Sequence, residues 1–266
     1  MKSYYQDDYA TIYHGDCREI LPQLETNTID LILTDPPYNI GVAKWDNMDI
    51  IDSNISIEFH RLLKDSGSLY IWCGIGEKGS SLIRWFPIFE RNFIFKDLIT
   101  WSKQRGYGMR KGWLYTREEI MWFVKDNSKY IWNKENQYST KRSAWGKVGF
   151  YGKEKASEFD RLTNVWTDIQ EQFFESGKNQ EDIGHPTAKP IPLMNRIILV
   201  HTNTGDCVLD PFMGSGSTLR AAKNIGLKAI GIEIEEKYCE LAAKNMGQSI
   251  LTPKVNPDNK IQNKLF

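Results

Sequence analysis

CVLDPFMGSGSTLRAAKNIGLKAIGIE, residues 207–233, runs from an apolar strand through a glycine turn and a helix into a second strand. Cys207–Leu209 is short and apolar, as suits a parallel strand buried on both faces. Gly214 and Gly216 permit positive φ and close backbone approach. Ser217 or Thr218 can cap a helix over Ser217–Ile225. The next strand, Lys228–Ile234, carries Glu233, 19 residues beyond Gly214. A carboxylate at that distance can take the ribose hydroxyls of an adenosine cofactor. Glycines alone would mark only a tight turn; turn, helix, strand and acid together say more. No Gly-Lys-Ser/Thr follows, which argues against an ATP P-loop.

The same local plan occurs upstream. Ile29–Thr34 (IDLILT) leads into Asp35-Pro36-Pro37-Tyr38, as Cys207–Leu209 leads into Asp210-Pro211-Phe212. Functional groups of open α/β sheets gather at the carboxyl ends of such strands, so two Asp-Pro turns can flank one crevice. Further strands are expected at Ser68–Trp72, Phe93–Trp101 and Ile120–Lys125, and helices at Ser53–Leu63, Pro192–Thr202 and Glu235–Met246. Helices between apolar strands predict an α/β fold, a doubly wound, mostly parallel sheet covered on both faces. Tyr130–Gly184 is polar, aromatic and basic without a period and reads as an insertion; the tail from Gln248 reads as a loose terminus.

At 266 residues the chain suits one large domain or a domain with an insertion. The first residues lack a signal peptide's apolar core, and no apolar run approaches membrane-helix length. The four cysteines (17, 73, 207 and 239) form no CxxC pair and read as reduced thiols of an intracellular protein, with no metal site implied. Basic and acidic residues balance at 34 each, yet Lys96–Lys155 holds 14 Lys and Arg against 6 Asp and Glu. A basic segment inside an otherwise acidic chain suits a polyanion, although charge alone also describes a solvated surface.

DPPY at 35–38, followed much later by DPFMGSGST at 210–218, resembles the β-class amino-methyltransferases of DNA, which use S-adenosylmethionine. In that family the catalytic motif comes first, a target-recognition region follows and the cofactor motif comes last, as here. His14-Gly15-Asp16-Cys17 resembles the family's element beside the cofactor adenine. His185-Pro186-Thr187-Ala188-Lys189-Pro190 resembles the segment that closes around the cofactor's methionine part. The resemblance implies a Rossmann-like, class I methyltransferase sheet with an antiparallel strand near one edge. It divides the chain into a catalytic half (1–129, with a basic DNA-facing loop near 102–117), a target-recognition insertion (130–184), a cofactor-binding half (185–247) and the tail (248–266). Expected cofactor contacts are Asp16, Cys17, His185, Thr187, Lys189 (toward the cofactor carboxylate), Asp210, Phe212, Gly214, Ser215, Gly216 and Glu233.

Asp35, Pro36, Pro37 and Tyr38 are then the expected catalytic group. An exocyclic amine on a nucleobase is a poor nucleophile because its lone pair is delocalised into the ring. Asp35 can accept one N–H and the Pro36 carbonyl the other, held rigid by Pro-Pro. Tyr38 offers a face for the base, which must be flipped out to be reached. Lys103, Arg105, Arg110, Lys111, Lys141 and Arg142 are expected to contact phosphates, and nearby aromatics either fill the gap left by a flipped base or pack a small core. Asp at the head of the tetrapeptide resembles adenine-N6 enzymes; cytosine-N4 enzymes more often carry Ser there. RNA or protein-amide methylation, for which Asn-Pro-Pro-Tyr is usual, and a non-catalytic DNA-binding relative are the other readings. Cys17 and Cys73 lack the Pro-Cys context of cytosine-C5 enzymes. Expected partners are double-stranded DNA and, in a restriction–modification setting, a cognate endonuclease. The protein is expected to be cytoplasmic, bacterial or phage-encoded, and a monomer or homodimer.

Overall fold

The structure, a computed structural model, describes residues 1–39, 50–75, 80–107, 113–141, 159–170 and 189–247. In chain order the elements are β1 (Tyr5–Gln6), β2 (Ala10–His14), α1 (Cys17–Ile20), β3 (Ile29–Thr34), α2 (Ser53–Leu62), β4 (Leu63–Cys73), α3 (Ser81–Phe89), β5 (Ile94–Tyr107), β6 (Tyr115–Val124), β7 (Tyr138–Lys141), β8 (Phe159–Arg161), β9 (Val165–Trp166), α4 (Ile191–His201), β10 (Cys207–Asp210), α5 (Ser217–Asn224), β11 (Lys228–Glu233) and α6 (Glu236–Gly247). The main sheet has the order β1-β2-β11-β10-β3-β4-β6-β5-β9. Strands β2, β11, β10, β3 and β4 are mutually parallel. β6 runs antiparallel to both neighbours, so the expected doubly wound, mostly parallel sheet with a reversed strand toward one edge is the fold observed.

Side-chain alternation builds a core on each face. Tyr70 and Trp72 of β4 and Ile120, Trp122 and Val124 of β6 point to one side, with Leu193, Ile197, Leu219 and Ala242 of α4, α5 and α6. Leu69, Ile71, Met121 and Phe123 point to the other, where Ile55, Phe59 and Leu62 of α2 and Trp85 and Phe89 of α3 cover them. All six residues of β3 are buried, which explains its mostly apolar sequence; the one charge, Asp30, is paired with Lys64. From β3 the chain moves outward to β4 across α2; from β10 it moves the opposite way to β11 across α5. Right-handed crossovers in opposite directions place the two helices on opposite faces. β3 and β10 therefore meet at the point where the strand order reverses, with Leu31 and Ile32 paired to Val208 and Leu209.

Three features differ from the sequence expectation. Residues 102–107 and 115–117 are not loop: β5 and β6 continue as strands, Ser102 opposite Arg117 and Tyr107 opposite Tyr115, with the register broken between the two pairs. α3 forms despite Pro87 within it, because Trp85 and Phe89 are fully buried and the helix is held by tertiary packing. Residues 130–137, expected within the insertion, lie against the core: Ile131 N–H donates to Ser66 O and Asn133 N–H to Val200 O, while Trp132 stacks on Trp122. Val165–Trp166 likewise joins the main sheet beside β5. Among the described residues no helix is long and apolar enough to cross a membrane.

Candidate active site

Four adjacent parallel strands, β2, β11, β10 and β3, each end at a carboxylate singled out in the sequence: Asp16, Glu233, Asp210 and Asp35. Parallel strands share one carboxyl edge, so a site dispersed over 218 positions of sequence, from 16 to 233, becomes one row.

At the β10 end, Asp210 is buried and accepts from Thr34 Oγ1 at 2.8 Å and from Phe212 N–H at 3.2 Å. Burial pushes its carboxyl up to about 6, against hydrogen bonds from Thr218 and Thr34. Gly214 and Gly216 adopt φ of 51° and 83°. A Cβ on Gly216 would stand 3.0 Å from Ala242 Cβ, so this turn requires glycine for both conformation and space. Gly216 is itself the N-cap of α5, and no side chain caps the helix; of the two expected caps, Thr218 is buried and turned toward Asp210. Ser215 O accepts from Asn245 Nδ2 of α6 at 3.1 Å, and Phe212 packs partly buried against the core.

Glu233 spans the turn. Its Oε2 accepts from Gly214 N–H at 3.0 Å and its Oε1 from Glu235 N–H at 2.9 Å, and burial raises its pKa. Gly15 N–H donates to Glu233 O at 2.9 Å, which brings the His14–Cys17 element alongside. There Asp16 caps α1 by accepting from Arg18 N–H at 2.9 Å and pairs with the Arg18 guanidinium, whose hydrogen bonds hold it below the usual carboxylate range. The Cys17 thiol is buried in the core and pushed up by burial to about 12.

At the β3 end, Asp35 Oδ1 accepts from the Tyr38 hydroxyl at 2.7 Å. Burial and the neighbouring carboxylate hold the Tyr38 phenol well above its ordinary pKa, so it donates. The Tyr38 ring meets buried Trp85 edge-on at 5.8 Å, and Arg84 Nη2 donates to Tyr38 O at 2.9 Å, so α3 fixes the loop from below. Asp35 Oδ2 accepts from Lys189 Nζ. Lys189 stands just ahead of Pro190, the N-cap of α4. It also pairs with Glu118 Oε2 of β6 at 3.2 Å, and Lys103 Nζ of β5 pairs with Glu118 Oε1. Burial opposes the charge on Lys189, but Asp35 and Glu118 outweigh it and raise the ammonium pKa.

Two lysines thus stand elsewhere than the sequence reading places them. Lys189, expected at the cofactor carboxylate, contacts Asp35, and Lys103, expected at phosphate, contacts Glu118. Glu118 carries no motif; the signal available is an acidic pair inside a basic segment. Arg105 lies on β5 and Lys141 on β7. Arg110, Lys111, Arg142, His185 and Thr187 lie outside the described residues.

The N6/N4 DNA methylase family model matches residues 29–244. The chain belongs to this DNA methylase family. The Type II methyltransferase M.HpaI of Haemophilus parainfluenzae is 33% identical over 236 residues, covering 85% of this chain and 70% of that one. The DNA adenine methyltransferase YhdJ of Escherichia coli (strain K12) is 32% identical over 254 residues, 90% of this chain and 83% of that one. Among solved structures, the M1.HpyAVI–SAM complex is 28% identical with a TM-score of 0.59, over 90% of this chain and 100% of that one.

The methylase's donor is S-adenosylmethionine. The residues at the β10 and β11 ends fit such a group. A turn with no Cβ at Gly214 or Gly216 lets the backbone approach closely, and the Glu233 carboxylate keeps acceptor capacity beyond its backbone N–H partners that suits a ribose hydroxyl. Asp210, buried and tied to Thr34 and to the Phe212 N–H, shapes the turn.

Proposed function

We propose that this methylase transfers a methyl group to N6 of a flipped-out adenine in double-stranded DNA. The observation that carries the reading is Asp35, an acceptor on a rigid Pro36-Pro37 turn at the end of β3, one strand from the glycine turn on β10. Asp rather than Ser at this position, and the similarity to an adenine methyltransferase, favour adenine over N4 of cytosine.

S-adenosylmethionine supplies the electrophilic methyl. The chain's own residues prepare the nucleophile. Asp35 accepts one N–H of the amine and the Pro36 carbonyl the other, drawing the nitrogen lone pair out of conjugation. Tyr38 and Lys189 each occupy one lone pair of Asp35, and each oxygen has a second. Asp35 is thus oriented before substrate arrives, and little reorganisation accompanies the transfer. As positive charge develops on nitrogen, the carboxylate offsets it, and the proton leaves after transfer.

The β5–β6 ribbon is the proposed DNA grip. It rises from the strands that carry Lys103 and Glu118 and lies in the basic segment. Trp113, 93% exposed, and Leu114 stand beside Tyr115, where β6 begins. A large exposed ring in a segment of sequence rich in Lys and Arg suits stacking on bases, including the gap a flipped base leaves. Residues 142–158 and 171–184 are proposed to complete target recognition, and the similarity to a Type II enzyme supports a restriction–modification setting. Nucleoside mass spectrometry of unmethylated DNA, after incubation with the protein and isotope-labelled S-adenosylmethionine, tests the reading. Labelled N6-methyladenine is expected. Labelled N4-methylcytosine would keep the machinery and change the base; no label in DNA would refute the proposal.

A further inference from the structure

We propose that Glu118 is a positioning residue for methyl transfer, acting through Lys189 on Asp35. The inference rests on the reading of Asp35 as the acceptor of the target amine.

Asp35 leads a loop beyond the sheet and is only partly buried, so its carboxylate can turn unless both oxygens are held. Tyr38 holds Oδ1 and Lys189 holds Oδ2. A lysine stem has four rotatable bonds and makes a poor clamp by itself. Here the stem is 9% exposed, its ammonium lies 6.0 Å from the Trp72 ring, and Glu118 Oε2 forms an ion pair with it at 3.2 Å. The Lys189 ammonium is therefore fixed between two carboxylates, one on β3's loop and one on β6.

Within the fold Glu118 pairs with Lys103 of the neighbouring strand β5, but that contact uses only Oε1. β6 pairs with β4 only as far as Glu119, opposite Cys73, so Glu118 is the next residue, past the end of that ladder. It shares a face with buried Ile120 and Trp122, where an apolar side chain would pack without desolvating a charge. Instead two lysines outweigh its burial and keep it ionised.

Charge balance gives the arrangement its purpose. The reacting nitrogen becomes positive, so a lone ammonium on Asp35 would oppose the step. Glu118 lies against Lys189 and offsets its charge locally, while Lys103, on the other oxygen of Glu118, stands one group further from Asp35. Asp35, Lys189, Glu118 and Lys103 alternate in sign and sum to zero.

The test measures kcat at saturating DNA and cofactor, with cofactor affinity read separately by calorimetry. Glu118→Gln is expected to lower kcat about 100-fold, the cost of a small misplacement at the reacting centre, and to leave cofactor affinity within about twofold. Because Glu118 acts through Lys189, adding Glu118→Gln to Lys189→Met should cost no more than about twofold further. Lys189→Arg should recover part of the loss. An unchanged kcat in Glu118→Gln, a loss lying in cofactor affinity, or additive effects in the double variant would overturn the proposal. If Glu118→Gln fails to fold, Glu118→Asp, which withdraws the carboxylate but keeps its charge, carries the same expectations. Wild-type protein that labels no DNA would refute the reading of Asp35 itself. Active wild type with an indifferent Glu118→Gln would refute only the role of Glu118.

Discussion

Thr34 donates its hydroxyl to Asp210 Oδ1 at 2.8 Å, tying the last residue of β3 to the last residue of β10. The bond joins the two Asp-Pro turns across the point where the sheet reverses direction. It also leaves a carboxyl group in an almost dry place. Burial raises Asp210 from 3.8 to about 6. Between those values the folded state keeps a proton that the unfolded state has released, so stability falls as pH rises through the window and levels off above it. Asp210→Asn keeps an acceptor for Thr34 and removes the titration. Relative to wild type it should gain up to about 3 kcal/mol between pH 4 and pH 7, read from urea unfolding at the two pH values. Parallel stability curves would mean that Asp210 is solvated.

Asp35→Ala should abolish turnover, by about 100-fold or more, because the acceptor aimed at the developing charge is gone. Cofactor affinity should largely survive, since the β10 and β11 ends are untouched. Calorimetry on the folded variant checks this; lost cofactor binding would move Asp35 into the cofactor pocket.

Glu233→Gln should weaken S-adenosylmethionine binding about tenfold, the worth of one charge-assisted hydrogen bond. Glu233 accepts from Gly214 N–H and Glu235 N–H on its two oxygens. Glutamine has one acceptor, so one backbone N–H would face an amide NH2 and the turn would shift. Unaltered affinity would exclude Glu233 from the cofactor site.

Gly216→Ala and Gly226→Ala form a matched pair. Both glycines are left-handed, at φ 83° and 79°, so each variant should lose about 1–2 kcal/mol from backbone strain alone. Only at Gly216 does the new Cβ meet a neighbour, Ala242; at Gly226 nothing lies within 4 Å. Gly216→Ala should therefore melt lower than Gly226→Ala, and of the two it alone should weaken cofactor binding. Equal melting temperatures would show that α6 moves aside freely.

Trp113→Ala should reduce DNA affinity by about tenfold, within the range for a stacked aromatic. Its melting temperature should not change, because a ring 93% exposed contributes nothing to the core. Fluorescence anisotropy with a labelled duplex gives the affinity; wild-type binding by the variant would place the DNA grip elsewhere.

Much of the frame was legible locally. β3, α2, α4, β10, α5 and β11 follow from apolar period and turn residues, and fall within a residue or two of their expected bounds. α3 was not legible, because Pro87 interrupts the helical pattern and only the burial of Trp85 and Phe89 restores it. The run of β5 and β6 past the core was not legible either, because a ribbon's length depends on its partner strand.

The sequence by itself determined the family and the order of its motifs, and it singled out Asp35, Glu233 and the glycine turn as candidates, since each rests on residue types at short spacing. The tertiary structure decided the company those residues keep. It set Asp35 beside Lys189, 154 positions away, gave Lys189 to Glu118, and turned Lys103 inward from the expected DNA face. Such ion pairs depend on which strands are neighbours and in what register. Those are properties of the whole sheet, which no local pattern of hydrophobicity or charge encodes.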